Sequence, residues 1–239
     1  MPMATSTPTF EAIAHRGVRD RYPENTIPAF QAALDFGADA IELDVHATSD
    51  GVVVVHHDFN LPVDNTSTHA GRAIADVTSR DLETFELTRG VGIPTLDEAL
   101  RVICRTAKAY IEVKARHIES LVAQSITNVP GASEKCAVHS FDHRIVNRFA
   151  LVSDVPTGVL IVGYPMRADE ILHSANARDF WENCEFIDRD LITTVHASGG
   201  RVIAWTCNEP AEWDRLIDAG VDGICTDRVG DLVSHRSAP

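Results

Sequence analysis

Two histidines and three carboxylates in this chain are spaced for acid–base chemistry beside a cation. His15 is followed by Arg16, and His57 lies in the run His56-His57-Asp58. Glu42 and Asp44 flank Leu43 in one apolar segment, and Glu112 and Lys114 flank Val113 in another. Successive side chains of a strand alternate between its faces, so residues two apart point the same way. Three carboxylates gathered on one face repel unless a cation joins them. Oxygen donors of this kind suit Mg2+ or Ca2+ rather than zinc. The competing reading is a buried salt-bridge network of these acids with Lys114 and Arg16, since such networks are common. The two histidines tip the balance toward a cation site. Imidazole changes charge near neutral pH, which makes His15 and His57 the candidate acid and base of a hydrolysis. Arg16 and Lys114 are candidate clamps for phosphate oxygens. Trp205, after an apolar run, is read equally as core packing or as a wall for the organic part of a substrate. His56, one residue from His57, should point away by alternation and is read as structural. His139 closes a strand-like segment and is kept as a further candidate. His46, His69, His117, His173, His196 and His235 are read as ordinary core or surface residues.

These residues need elements that bring them together. Short β-branched runs alternate with helical stretches along the chain, the pattern of parallel βα units. Strands are predicted at Phe10–Ala14, Ala40–Val45, Tyr110–Val113, Cys136–Ser140, Thr157–Ile161, Arg201–Thr206 and Gly223–Cys225. Helices are predicted over Thr26–Phe36, Thr95–Cys104, Ile118–Thr127, His143–Val152, Asp190–Ala197 and Glu209–Ala219, with a last one from about Val229. Asn208 is read as the cap of the Glu209–Ala219 helix, with Pro210 in its first turn. Asp50-Gly51 turns the chain into Val52–His56, and Asn60–Ser79 is a polar excursion outside the repeat. The stretch Gly163–Glu185 has no readable pattern. About eight units point to a closed (β/α)8 TIM barrel, where residues following the strands gather at one mouth. No linker divides the chain, so residues 1–239 are expected to form a single domain.

Composition narrows the function classes. The formal net charge is −14, which argues against nucleic acid and gives no attraction to anionic membranes. An anionic substrate must then be held locally, by a cation and a few basic side chains. No apolar run approaches the ~20 residues of a membrane span. The start of the chain has neither a basic segment nor an apolar core of the signal-peptide kind. Five scattered cysteines without a CxxC pair suggest buried thiols in a reducing compartment, and the chain reads as cytoplasmic or as a mature form with its signal removed. Barrels often form homo-oligomers, but nothing in the sequence identifies an interface.

With these residues in view, the chain resembles the glycerophosphodiester phosphodiesterase family. The resemblance is carried by AHRG (Ala14–Gly17), PENT (Pro23–Thr26), GADAIELDVHATSDG (Gly37–Gly51) and VVHHD (Val54–Asp58). It continues through IPTLDEAL (Ile93–Leu100), IEVK (Ile111–Lys114), AWTCN (Ala204–Asn208) and GVDGICTD (Gly220–Asp227). It implies a (β/α)8 barrel with a small insertion after the second strand, where the Asn60–Ser79 excursion falls. It also implies His15 and His57 as the catalytic pair, one divalent ion on Glu42, Asp44 and Glu112, and phosphate contacts from Arg16 and Lys114. The implied reaction is hydrolysis of glycerophosphodiesters to sn-glycerol 3-phosphate and an alcohol. The attacking group is either water or the substrate's own glycerol hydroxyl, the latter through a cyclic diester.

Two departures stand out. Val18-Arg19-Asp20-Arg21 replaces the small residues that often follow HRG in the family. Val63-Asp64-Asn65-Thr66 stands where an Asp-Arg-Thr-Thr element is common. The rival readings are a lysophospholipase D-like enzyme, a Schiff-base lyase through Lys114, and a catalytically silent binding module. The first needs an apolar or aromatic loop, and none is evident in the sequence.

Overall fold

Apolar side chains at alternate positions give each strand two usable faces, and the computed structural model, which describes residues 10–237, uses both. The chain opens with β1 (Glu11–His15), α1 (Ile27–Asp35), β2 (Ala40–Ala47) and the short β3 (Val53–Val55). Next come α2 (Ser79–Leu82), the ribbon β4 (Glu86–Thr88) and β5 (Val91–Gly92), then α3 (Leu96–Ile103). Strict alternation follows: β6 (Lys108–Val113), α4 (Glu119–Asn128), β7 (Cys136–Ser140), α5 (His143–Ala150), β8 (Thr157–Ile161), α6 (Ala168–Ala175) and β9 (Asp179–Asn183). The chain closes with α7 (Arg189–Ala197), β10 (Arg201–Trp205), α8 (Pro210–Ala219), β11 (Gly223–Thr226) and α9 (Val229–Arg236). Eight parallel strands run in the order β1, β2, β6, β7, β8, β9, β10, β11, and β11 pairs again with β1. This is the expected TIM barrel.

The outward faces carry Ile41, Leu43, Val45, Ile111 and Phe180, all buried under the helices. The inward faces are stacked in layers, as a filled barrel requires. At the N-terminal end Glu11 binds Lys108, the Tyr110 hydroxyl at 2.5 Å and Arg201 at 3.0 Å, a network that closes the barrel bottom. Above it Ile13, Ala40, Tyr110, Leu160, Trp181, Ile203 and Cys225 fill the middle. Fully burying each large one contributes about 1.5–3 kcal/mol. The next inward layer is polar, and it is the site.

The excursion is longer than its sequence suggests. It runs from β3, antiparallel to β2, through a 3-10 turn at Ile74–Asp76, α2 and the β4–β5 ribbon. Leu61, Ile74, Val77, Leu82, Phe85 and Ile93 give it a small core of its own against Val54. The unreadable Gly163–Glu185 stretch holds α6 and β9. β9 escapes notice because its residues, Asp-Phe-Trp-Glu-Asn, are hardly β-branched. Its place is fixed by pairing to β8 and β10, with Trp181 turned into the barrel and Asp179 bound by Arg178 at 2.7 Å.

One expected cap differs. Asn208 does not cap α8, whose N-cap is Glu209, because its side chain is committed to the β11 end. Thr95 does cap α3, in a reciprocal capping box with Glu98.

Candidate active site

The period of two that packs the barrel also lifts its polar layer to one mouth. Ile13 faces in and so does His15; Ala40 faces in and so do Glu42 and Asp44; Tyr110 faces in and so do Glu112 and Lys114. His15, Arg16, Glu42, His57, Glu112, Lys114 and Trp205 line one cavity of about 150 Å³, with Asp44 buried directly behind them. All eight residues proposed from the sequence therefore converge. His139, Phe141, Leu160 and Trp181 complete the wall. His56 does not line it, as alternation requires.

The loop after β1 is held in an unusual conformation. Arg16 has φ 58°, stabilised by its N–H to the Glu42 carbonyl at 2.9 Å and its carbonyl to the Asn25 N–H at 3.0 Å. Gly17 has φ 83°, and a Cβ there would lie 2.7–2.8 Å from Ala29 at the start of α1. Only glycine meets both demands. The turn directs the Arg16 guanidinium to Glu24 at 2.8 Å and Asp44 at 3.0 Å. Asn25, also left-handed, donates to Asp44 Oδ2 at 2.8 Å and accepts from its N–H at 3.3 Å.

The carboxylates form a tight group. Asp44 and Glu112 are register neighbours on β2 and β6, and Lys114 Nζ lies 3.5 Å from Asp44 and 3.2 Å from Glu112. The ion-pair network weighed at the sequence level thus exists, but it does not neutralise the group. Glu42 Oε2 and Asp44 Oδ1 are buried without a hydrogen-bond partner. Burial, then the charges of Asp44 and Glu112, push the Glu42 carboxyl well up. Burial and then Asp44 raise Glu112 to about 7. Asp44 goes the other way: burial opposes ionisation, but Arg16 and Lys114 outweigh it and hold the carboxyl down. Three acids with two cations beside them, two carboxyls raised and two oxygens unsatisfied, are what a divalent ion would complete.

Each candidate acid–base histidine is oriented by a carboxylate. His15 Nδ1 lies 2.7 Å from Asp227 Oδ1, which leaves Nε2 toward Glu42 at 4.0 Å. His57 Nδ1 lies 2.8 Å from Asp58 Oδ1. Burial alone would raise Asp227, but hydrogen bonds to His15 and Asn208 hold it down at about 2. Asn208 Nδ2 donates to Asp227 Oδ2 at 2.9 Å, and Asn208 Oδ1 accepts from the Asp227 N–H at 2.9 Å. Asp227 and Asn208 lie within the matched motifs, yet their roles depend on a contact between β10 and β11 that spacing cannot reveal. His139, kept only as a candidate, is brought fully inside: it stacks on Trp181 at 4.3 Å and places Nε2 3.9 Å from Glu42. Burial lowers its pKa to about 3, so the ring is neutral.

Trp205 packs edge-on against Phe141 at 5.4 Å, and its Nε1 is buried without a partner. The apolar loops not evident in the sequence do exist. Phe141 and, in the loop after β8, Val162, Tyr164 and Met166 are exposed at the strands' C-terminal ends, and Phe59 is exposed in the insertion.

Fold and site together define a (β/α)8 barrel with paired histidines and a carboxylate cluster at its C-terminal mouth. A family model, the glycerophosphoryl diester phosphodiesterase family, matches residues 15–231. The glycerophosphodiester phosphodiesterase of Caldanaerobacter subterraneus subsp. tengcongensis is 32% identical over 241 residues, covering 93% of this chain and 96% of that protein. That of Bacillus altitudinis is 30% identical over 231 residues, covering 90% and 93%. A phosphodiesterase from Oleispira antarctica, solved with the product sn-glycerol-3-phosphate, superposes with a TM-score of 0.83 at 23% identity over 95% of this chain and 96% of that one. This chain belongs to the glycerophosphoryl diester phosphodiesterase family, and is thereby a phosphoric diester hydrolase. Among the described residues no helix is long and apolar enough to cross a membrane.

Proposed function

We propose that the chain hydrolyses glycerophosphodiesters to sn-glycerol 3-phosphate and an alcohol, with His15 and His57 as the acid–base pair and one divalent cation on Glu42, Asp44 and Glu112. The observation that carries this reading is the pair of imidazoles, each fixed at Nδ1 by a carboxylate, on a cavity with unsatisfied acid oxygens. A bound cation supplies Lewis-acid polarisation of a phosphoryl oxygen. Arg16 and Lys114 offset the charge of the phosphate oxygens, which the acidic protein as a whole would repel. Asp227 and Asp58 hold the histidine tautomers, keeping Nε2 as the working nitrogen. One imidazole takes the proton of the attacking hydroxyl and the other protonates the leaving alkoxide; where the substrate's glycerol hydroxyl attacks instead of water, a water then opens the cyclic diester to glycerol 3-phosphate with the two imidazoles exchanging roles. Trp205 and Phe141 form the wall for the organic part, with the free indole N–H as a donor to it. The product held by the Oleispira antarctica neighbour supports glycerol 3-phosphate as one product. Lys114, paired to two carboxylates, suits a charge clamp better than a Schiff-base nucleophile.

Residues 1–239 are taken as one functional unit, of which 1–9 and 238–239 lie outside the described residues. All five cysteines are free thiols, which supports a reducing, cytoplasmic location.

The test is release of glycerol 3-phosphate from glycerophosphocholine with added Mg2+ or Ca2+, and with excess EDTA. Cation-dependent release, lost in folded His15→Ala and His57→Ala, is expected. Near-normal turnover in either variant would refute the pair. The exposed Phe141, Val162, Tyr164 and Met166 favour a second reading, lysophospholipase D-like action on a lysophospholipid whose chain lies on that rim. Micellar lysophosphatidylcholine turned over in preference to glycerophosphocholine would establish it. No turnover of either would leave a silent binding module.

A further inference from the structure

His139 is a buried side chain that the mechanism above does not use. It is 1% exposed, and its Nδ1 has no hydrogen-bond partner. Its Nε2 faces Glu42 Oε1 at 3.9 Å, beyond hydrogen-bond reach. Buried polar nitrogens are normally satisfied, so an imidazole with neither nitrogen bonded calls for a reason.

The geometry supplies one. His139 is the register neighbour of Glu112 on β6, which is itself the neighbour of Asp44 on β2, so the three form one row across adjacent strands. One donor atom each from Glu42, Glu112 and His139 lies within 4.8 Å of the others. Donors about 2.0–2.2 Å from one ion lie at most about 4.4 Å apart, so small side-chain shifts would close this cluster on an ion. The ring plane is fixed by the stack on Trp181.

We propose that His139 is a donor to the same cation as the carboxylates, making a mixed imidazole–carboxylate site that favours a first-row transition ion such as Mn2+ or Co2+ over Mg2+ and Ca2+. Imidazole suits transition ions, whereas Mg2+ and Ca2+ are served by oxygen alone. This adds an imidazole to the oxygen donor set expected from the sequence, and it rests on the cation site proposed above.

The test uses the full-length protein stripped with EDTA and reloaded with Mn2+, read by pulsed electron paramagnetic resonance and by equilibrium binding rather than by turnover. Wild type is expected to show 14N coupling from a coordinated imidazole. His139→Gln is expected to lose that coupling and to bind Mn2+ at least about tenfold more weakly, with Mg2+ affinity changed much less. Bound Mn2+ without nitrogen coupling in wild type overturns the proposal while leaving the carboxylate site standing. The wild-type spectrum decides the matter even if the variant fails to fold. No Mn2+ binding at all overturns both this donor assignment and the cation site beneath it.

Discussion

Replacing Asp227 by Asn separates what the His15–Asp227 contact does for catalysis from what it does for stability. The carboxylate accepts from His15 at 2.7 Å, from Asn208 at 2.9 Å and weakly from Arg19 at 3.4 Å. An amide of the same shape must turn its NH2 toward one of these donors. If it meets His15, the ring is driven to the tautomer with its proton on Nε2, the wrong one for a base. The kcat should fall by roughly 10²–10⁴, the usual range for a misplaced general acid or base. The stability effect is smaller. Lowering the carboxyl from 3.8 to about 2 corresponds to about 2.4 kcal/mol at 1.36 kcal/mol per unit. With the side chain 27% exposed, screening reduces this to roughly 1–2 kcal/mol.

The sign follows from the direction of the shift. A depressed carboxylate stabilises the fold above its unfolded pKa, and the contribution is lost as pH falls through about 2. Asp227→Asn should therefore melt roughly 2–8 °C below wild type at pH 7, and the gap should close near pH 2. The assay is steady-state release of glycerol 3-phosphate beside thermal melts from pH 2 to 8. A folded variant with kcat within about threefold of wild type would refute the orienting role.

Three further outcomes are expected. Gly17→Ala places a methyl 2.7–2.8 Å from Ala29 at a left-handed φ, and should cost about 1–3 kcal/mol from overpacking alone, read as a lowered melting temperature. Trp205→Phe keeps an aromatic wall but removes the free indole N–H, and should raise KM about two- to twelvefold with kcat little changed; an unchanged KM would exclude that donor. In the cation-free protein Glu112 holds its proton up to about pH 7 and burial raises Glu42 as well, so cation affinity should climb by about tenfold or more per unit as pH rises toward and through 7. Calorimetry in buffers of different ionisation heat should detect the released proton, and a flat affinity from pH 5 to 8 would contradict the buried-acid cluster.

Much of the molecule is written locally in the chain. Alternation of polar and apolar positions over Ala40–Ala47 and Lys108–Val113 specifies strands that pack outward and present acids inward. The Asp50-Gly51 turn into β3, and Pro210 in the first turn of α8, are short-range signals for a strand reversal and a helix start. These depend on neighbours a few residues apart, and so they survive translation into a one-dimensional reading. β9 did not, because the forces that make it a strand come from β8, β10 and the barrel interior that takes up Trp181. The same is true of Asn208, whose side chain finds Asp227 across two strands instead of capping its own helix, and of the apolar rim.

The chemical inventory was thus fixed by residue type and strand period: two histidines, three acids and two bases, all delivered to one end of a barrel. Closure of the barrel decided how they share charge. Only there does Asp44 fall between Arg16 and Lys114 and keep its charge despite burial, while Glu42 and Glu112 are driven the opposite way by burial and by Asp44 itself. Register between β6 and β7 likewise brought His139 beside them. Electrostatic interaction falls with distance and rises with burial, and neither quantity exists until distant strands are packed side by side.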